Sequence, residues 1–522
     1  MSATPAVPAS DPVSSPVWSI DPRTGEQREQ VGVEATAEVV DAAVRAAHAA
    51  RGVLADRAVR AAFLRSAAAQ LEEGRDEFVA TADAETALGA VRLNGELTRT
   101  CYQLRSFADT VDEGSFLDVI ISHPDAAATP PVPDLRRYKI PLGVVAVYSA
   151  SNFPFAFSVA GGDTASALAA GCPVVVKAHP DHPATSELTA AAVRRAAAEH
   201  GLPAGVVGLV HGFDAGVALV VHPLVAAAGF TGSVRGGRAL FDAAAARPTP
   251  IPFHGELGSL NPVWVTQAAA AERAEEIGAG LAGSMTMGVG QFCVKPGLVL
   301  APTGAAGDQL VKSLGGSLAD VGAGVMLDHR MRDNFVAGVA ERASLPQVEA
   351  PVLPGPGPDA HTVGPGFLTV PAAELAREDG PHALLLEECF GPVTVVARYG
   401  EVAEAEALLA RLPGNLTATL HVSAAEASGA DGGSDLLARL TPLAGRILVN
   451  AWPTGVAVAP AQHHGGPYPA TTSTSTSVGS TAAERWLRPV SYQSTPEALL
   501  PPELREDNPL GLPRTVDGRR EG

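Results

Sequence analysis

Cysteine is scarce in this sequence: Cys101, Cys172, Cys293 and Cys389 are its four thiols in 522 residues. No two have the spacing of zinc ligands or of a disulfide framework, so neither a metal site nor a stapled secreted scaffold is expected, and a reducing, cytoplasmic setting is. Basic residues are short as well, 37 Lys and Arg against 56 Asp and Glu, for a formal net charge of -19. Phosphate backbones need a cationic surface, and the chain has no cluster of Lys and Arg interleaved with aromatics, which argues against a nucleic-acid partner. The acidic balance serves solubility instead. Long apolar runs are missing too. Nothing approaches the ~18 residues of a bilayer span, and Met1 to Pro16, rich in Ala, Pro and Ser, has neither the basic start nor the apolar centre of a signal peptide. No membrane partner is expected, and residues 1–17 read as a flexible stretch.

What is present is a globular composition, 46% hydrophobic and 18% charged, with aromatics at only 5% and Ala, Gly and Val abundant. The chain exceeds the usual domain size of about 50 to 250 residues, so two large domains are expected. From Asp41 to about Asp112 apolar and charged residues recur at helical spacing, predicting several amphipathic helices. Prolines break residues 123–133, and the alternating run Leu135 to Ile140 predicts an exposed strand.

Short apolar strands then alternate with helices. Val144 to Tyr148, Val174 to Lys177, Val206 to Val210 and Val225 to Phe230 are the strands; Ser158 to Ala170, Thr185 to His200 and Val234 to Ala246 are the helices. They form a doubly wound parallel layer closing at about Phe253, a natural seat for a nucleotide. A second α/β series follows: Val263 to Thr266, a helix from Gln267 to about Gly283, then Leu298 to Ala301, Val393 to Ala397, Leu416 to His421 and Arg446 to Asn450. Ala350 to Gly366, rich in Pro and Gly, reads as a surface loop, and Thr471 to Ser480 as a Ser/Thr loop.

Three segments carry chemistry-bearing residues. Met287-Gly288-Val289-Gly290-Gln291-Phe292-Cys293 sets a thiol beside glycines that let a ligand approach the main chain. Phe253-His254-Gly255-Glu256-Leu257-Gly258 holds a carboxylate just past the last strand of the nucleotide layer, where it could activate a water. Ser149-Ala150-Ser151-Asn152-Phe153-Pro154 directly follows a strand and offers the Asn152 amide to a developing oxyanion. Each alone has a plainer reading: a buried cysteine in a tight turn, a capping glutamate, an Asx-turn.

Together and in this order, with Glu387-Glu388-Cys389-Phe390-Gly391-Pro392-Val393, these segments resemble the aldehyde dehydrogenase superfamily, over roughly residues 18 to 518. Gly288 to Gly297, Arg92-Leu93-Asn94-Gly95-Glu96-Leu97, Trp452-Pro453-Thr454-Gly455 and His464-Gly465-Gly466-Pro467-Tyr468-Pro469 are similar to its α-ketoglutarate-semialdehyde (2,5-dioxopentanoate) dehydrogenase branch. The resemblance implies an α/β aldehyde dehydrogenase fold: a Rossmann-like cofactor domain (18–122 and 142–255), an α/β catalytic domain (256–488), a small β oligomerisation flap (123–141 and 489–498) and a C-terminal tail (499–522). It implies oxidation of an aldehyde to a carboxylic acid, and association as a homodimer or homotetramer. Cys293 would attack the aldehyde, Asn152 and the Cys293 N–H would hold the oxyanion, and Glu256 would deprotonate the water that hydrolyses the thioester.

No GxGxxG fingerprint occurs at the expected turn. The resemblance assigns the cofactor instead to Lys177 at the adenosine ribose, Gly232 and Ser233 at the pyrophosphate, and Glu388 and Phe390 at the nicotinamide riboside. Many NAD-preferring relatives carry a Glu three residues after the lysine; here Pro180 stands there, with Lys177 and His179 nearby, so NADP is expected over NAD. Arg92, Arg99, Arg105 and Phe153 are the candidate substrate residues, a bidentate Arg suiting the far carboxylate of 2,5-dioxopentanoate. Aliphatic or fatty aldehydes are the alternative substrates. Two other classes are a thiol hydrolase, disfavoured because no histidine signature accompanies Cys293, and a non-catalytic dinucleotide-binding relative, disfavoured because Asn152, Glu256 and Cys293 are all kept.

Overall fold

The computed structural model describes residues 15–429 and 432–521. The flexible stretch expected over 1–17 therefore lies outside the described residues except for 15–17, which lead into an antiparallel hairpin of Pro16–Ile20 and Gln27–Val33. Among the described residues no helix is long and apolar enough to cross a membrane.

The first sheet is parallel, with strands in the order Val207–Val210, Val174–Lys177, Val144–Tyr148, Val225–Thr231 and Phe253–Glu256. Its two central strands are buried throughout, the continuous valine pattern of a sheet covered on both faces. Alternate residues enter different cores. Val145 and Val147 pack with the helices Arg57–Glu73, Ala90–Glu113, Gly162–Ala170 and Pro183–Glu199, while Val144, Ala146 and Tyr148 pack with Ala37–Ala49 and Phe213–Val221. Strand order reverses at Val144–Tyr148, which opens a crevice at the carboxyl ends of this strand and Val225–Thr231. The layer does not close at Phe253: Phe253–Glu256 is a fifth strand, with Glu256 opposite Thr231. Glu256 is thus the last residue of a strand in the nucleotide layer. The sequence Phe-His-Gly-Glu has no apolar run to announce it, and its backbone supplies the ladder.

The second sheet runs Glu349–Val352, Gly366–Pro371, Val393–Tyr399, Leu298–Pro302, Val263–Val265, Asn415–His421 and Ala444–Val449, parallel except for the antiparallel edge strand Glu349–Val352. The stretch Ala350 to Gly366 is accordingly not a plain loop. Besides that edge strand it carries Gly355–Pro356 and Thr362–Gly364, which join Gly324–Val325 in a small antiparallel sheet. Two- and three-residue strands need no β-propensity, because pairing there is a main-chain matter.

A third sheet has the order Leu487–Gln493, Leu135–Pro141, Val119–Ser122, Arg514–Val516 and Arg519–Glu521. The strand at Leu135 is half-buried and paired on both sides rather than exposed. Residues beyond 499, read as a tail, supply two of the five strands. Trp486 anchors this sheet to the nucleotide layer: fully buried, it donates Nε1–H to Ser166 Oγ at 2.8 Å.

Candidate active site

Cys293 lies in the loop between helix Gln267–Thr286 and strand Leu298–Pro302. That loop can reach its position only through glycine. Gly290 has φ +66°, and a Cβ there would collide with the Gly391 carbonyl in the loop that carries Glu388 and Phe390. Lys295 ties the two loops together, its Nζ donating to the carbonyls of Cys389 (2.9 Å) and Val393 (2.7 Å). Asn261 fixes the nucleophile from behind, its Nδ2 donating to the carbonyls of Cys293 (2.8 Å) and Lys295 (2.9 Å).

Three side chains meet here. Cys293 Sγ lies 3.7 Å from His464 Nε2, which is hydrogen-bonded at 2.8 Å to Glu256 Oε1, while the Ser477 hydroxyl donates to Glu256 Oε2 at 3.1 Å. Sulfur, imidazole nitrogen and carboxylate oxygen all lie within 4.8 Å of one another, and a soft divalent cation bound there would block the thiol. Burial works to raise the pKa of Glu256, but His464, the Ser477 hydroxyl and the thiol outweigh it and hold the carboxylate below its ordinary value. The thiol is pushed the other way, well above the ordinary cysteine value, by burial first and then by the negative charges of Glu256 and Glu388.

Asn152, at the carboxyl end of the central strand, donates Nδ2–H to the Gln291 carbonyl at 2.9 Å, two residues before the thiol. Its own main-chain carbonyl accepts from Arg92 Nη2 at 2.5 Å. The Arg92 guanidinium lies against both Phe153 and Phe292, 5.0 and 4.6 Å from their ring centres, and those rings meet edge-on at 5.2 Å. Phe153 and Arg92 therefore pack on Phe292, the residue before the thiol. Arg105 does not: it forms an exposed two-pronged pair with Glu72 at 2.7 and 2.5 Å and is removed from the candidate list. Helical periodicity cannot tell the two faces of Ala90–Glu113 apart at an arginine whose aliphatic stem suits either.

One cavity of about 680 Å³ joins these residues to the crevice of the first sheet. Asn152, Glu256 and Cys293 line its inner end with Glu388 and Phe390, and Lys177, His179, Gly232 and Ser233 line its outer end. Burial raises the Glu388 carboxyl to about 7, against the pull of Lys295 and the Ser259 N–H. The Lys177 ammonium makes no ion pair among the described residues; it sits 4.8 Å from the centre of the Phe213 ring and is lowered to about 8, mainly by burial. His179 faces Asp181 at 3.3 Å. Ser233 caps helix Val234–Ala245, whose first-turn N–H groups and dipole favour an anion. A buried unpaired cation, a helix N-terminus and two carboxylates, in that order along one cavity, fit a dinucleotide.

Three residues escaped the sequence reading. His464 stood within a motif, but nothing local distinguishes an acid's partner from any other histidine. Arg330 lies 5.9 Å from the centre of the Phe213 ring that Lys177 also approaches, and it pairs with Asp328 at 3.0 Å and Asp181 at 3.6 Å. Arg446, on strand Ala444–Val449, is close enough to Cys293 to act on its thiol electrostatically. The Ser/Thr loop is more than a connector, since Thr472 N donates to the Gly255 carbonyl at 3.0 Å and Ser477 reaches Glu256.

Comparison with known proteins agrees with this geometry. The model of the aldehyde dehydrogenase family matches residues 9–466. The chain is 46% identical over 519 residues, 96% of both chains, to alpha-ketoglutaric semialdehyde dehydrogenase 2 of Azospirillum brasilense. It is 41% identical over 490 residues, 93% of this chain and 92% of the other, to alpha-ketoglutaric semialdehyde dehydrogenase of Acinetobacter baylyi. Its fold superposes with a TM-score of 0.78 on an aldehyde dehydrogenase of Physcomitrella patens solved with the product succinate, at 19% identity and covering 94% of this chain and 97% of that one. The chain belongs to the aldehyde dehydrogenase family, oxidoreductases that act on aldehydes with NAD or NADP.

Proposed function

We propose that this enzyme oxidises α-ketoglutaric semialdehyde (2,5-dioxopentanoate) to the dicarboxylate, with Cys293 as nucleophile, Glu256 as base and Asn152 as oxyanion donor. The observation that carries the catalytic reading is the meeting of these three side chains, from three separate segments, at the inner end of one cavity. The substrate reading rests on the two relatives named for that activity.

Glu256, kept ionised by His464 and Ser477, takes the thiol proton. Sγ then bonds to the aldehyde carbon, and the carbonyl oxygen becomes an oxyanion held by Asn152 Nδ2–H and the Cys293 N–H. The nicotinamide, when bound, supplies the acceptor for the hydride that leaves this carbon as the thioester forms. Glu256 releases the thiol proton to solvent and, ionised again, deprotonates a water; the resulting hydroxide adds to the thioester carbon, the C–S bond breaks, and the acid departs from a free thiolate. Lys177, Ser233 and Gly232 would hold the ribose and phosphates, and Glu388 and Phe390 the nicotinamide riboside. With Pro180 in place of a ribose-binding acid, and with Lys177, His179 and Arg330 at that end, NADP is the preferred cofactor. Residues 18–122 with 142–256 form the cofactor domain and the rest of 257–488 the catalytic domain, and the flap sheet is the surface for a homodimer or homotetramer.

The test is a panel of 2,5-dioxopentanoate, succinate semialdehyde and medium-chain alkanals, each with NADP and NAD. The highest kcat/KM should belong to 2,5-dioxopentanoate with NADP. A preference for alkanals would replace the substrate, a strong NAD preference would replace the cofactor, and no reduced nicotinamide from any aldehyde would end the catalytic reading.

A further inference from the structure

Two arginines from distant segments reach the same short loop. Arg99, on helix Ala90–Glu113, donates Nε–H to the Val456 carbonyl at 3.2 Å; Arg446 donates Nη1–H to the adjacent Gly455 carbonyl at 2.7 Å. Both guanidinium groups are thereby tied to one two-residue stretch of loop. Neither forms an ion pair among the described residues. The acid nearest Arg99 in sequence, Glu96, acts on it electrostatically without an ion pair, its Oε1 accepting from the N–H groups of Phe155 (2.8 Å) and Ala156 (2.9 Å). Arg99 Nη2, Arg446 Nε and Arg446 Nη2 are buried donors with no acceptor among the described residues. Leaving buried cationic donors unpaired is costly, so the arrangement calls for an anion.

Both arginines also lie within electrostatic reach of the thiol. Arg99 Cζ lies 5.3 Å from the centre of the Phe157 ring, that ring lies 6.1 Å from the His464 ring, and His464 Nε2 lies 3.7 Å from Sγ. The charges of Arg99 and Arg446 both act on Cys293. We infer that Arg99 and Arg446 form a carboxylate clamp that selects aldehydes bearing a carboxylate at the far end. This rests on the aldehyde-oxidising reading of Cys293 and deepens it. The clamp spans both large segments of the chain, and Arg446 would be its specificity-determining half.

The experiment compares Arg446→Met and Arg99→Met with the parent enzyme on 2,5-dioxopentanoate, succinate semialdehyde and the neutral aldehyde pentanal. KM for the two carboxylated substrates should rise about 10- to 100-fold, the worth of a hydrogen bond to a charged group, while KM for pentanal stays level, whatever the lost charge does to the thiol and so to kcat on every aldehyde. Arg446→Lys keeps the charge without the fork and should fall between. It also serves if the methionine variant fails to fold. A second readout needs no turnover: glutarate should protect Cys293 from iodoacetamide in the parent but not in Arg446→Met. Equal losses on charged and neutral aldehydes, unchanged KM for the carboxylated pair, or no glutarate protection in the parent would each overturn the clamp. Failure to oxidise any aldehyde while glutarate still protects Cys293 would overturn the catalytic reading alone.

Discussion

The inner and outer ends of the cavity are built on opposite electrostatic plans. Around Cys293 the fixed charges facing the thiol at close range are carboxylates, Glu256 and Glu388, and they drive the thiol up while the imidazole of His464 keeps Glu256 ionised. Around Lys177 the charge left unpaired among the described residues is its own ammonium over Phe213, while Arg330, near the same ring, is paired with Asp328 and His179 with Asp181. A dinucleotide has the matching polarity, with phosphate at one end and a pyridinium ring at the other. The negative end carries a second consequence. A thiol held protonated beside two carboxylates is a poor nucleophile until a cationic ring lies near it, so the site is arranged to activate Cys293 when cofactor is present.

The largest effects should come from dismantling the inner end. Cys293→Ala should cost about 10⁴-fold or more in rate, as removal of a covalent nucleophile does, with NADP binding by fluorescence unchanged. Lost binding together with lost rate would mean that the two ends are not separable. Glu256→Gln should lower kcat by about 10²- to 10⁴-fold by removing the general base. The same change removes a negative charge that raises the thiol, so iodoacetamide should alkylate Cys293 faster at neutral pH. Slower alkylation would contradict the electrostatic plan.

His464 sharpens the contrast, because it tunes the acid rather than touching substrate in the proposed scheme. It is a positioning residue. Glu256 is held low chiefly by His464, so His464→Phe should raise the Glu256 pKa, and the acid limb of the kcat profile should move to higher pH. At pH well above that limb kcat should be nearly restored, which a merely structural defect would not allow.

How much of this could be read in the sequence depended on whether the signal was local. Val144–Tyr148 and Val174–Lys177 are plain because burial on both faces writes an unbroken apolar run. Phe253–Glu256 is equally central to the site and nearly invisible, since a glycine and a histidine interrupt the pattern. Cys293 and Glu256 are legible because glycines flank them, and Asn152 because its segment directly follows an unmistakable strand. Arg99 and Arg446 depend on a loop that approaches Arg99 from 357 positions away in the chain, and no local pattern encodes that meeting. Arg105 failed for the complementary reason: its spacing matched a site-facing helix position, but its partner Glu72 lies on a neighbouring helix.

The smallest effect belongs to the outer end, where one cation is at stake and water is close. Lys177 titrates at about 8 in the free protein because burial disfavours its charge. Bound phosphate favours the charged form, so its pKa rises in the complex, and affinity must fall as pH climbs through the free value toward the bound one. NADP affinity, measured by titration calorimetry, should therefore be flat below pH of about 7 and weaken toward pH of about 9, whereas Lys177→Met should bind more weakly, by about 10-fold, with no such slope. The loss should be larger for NADP than for NAD, because a 2′-phosphate adds the charge that Lys177 and Arg330 face. If NAD loses as much as NADP, the lysine reads the ribose alone and the cationic plan of this end shifts to Arg330.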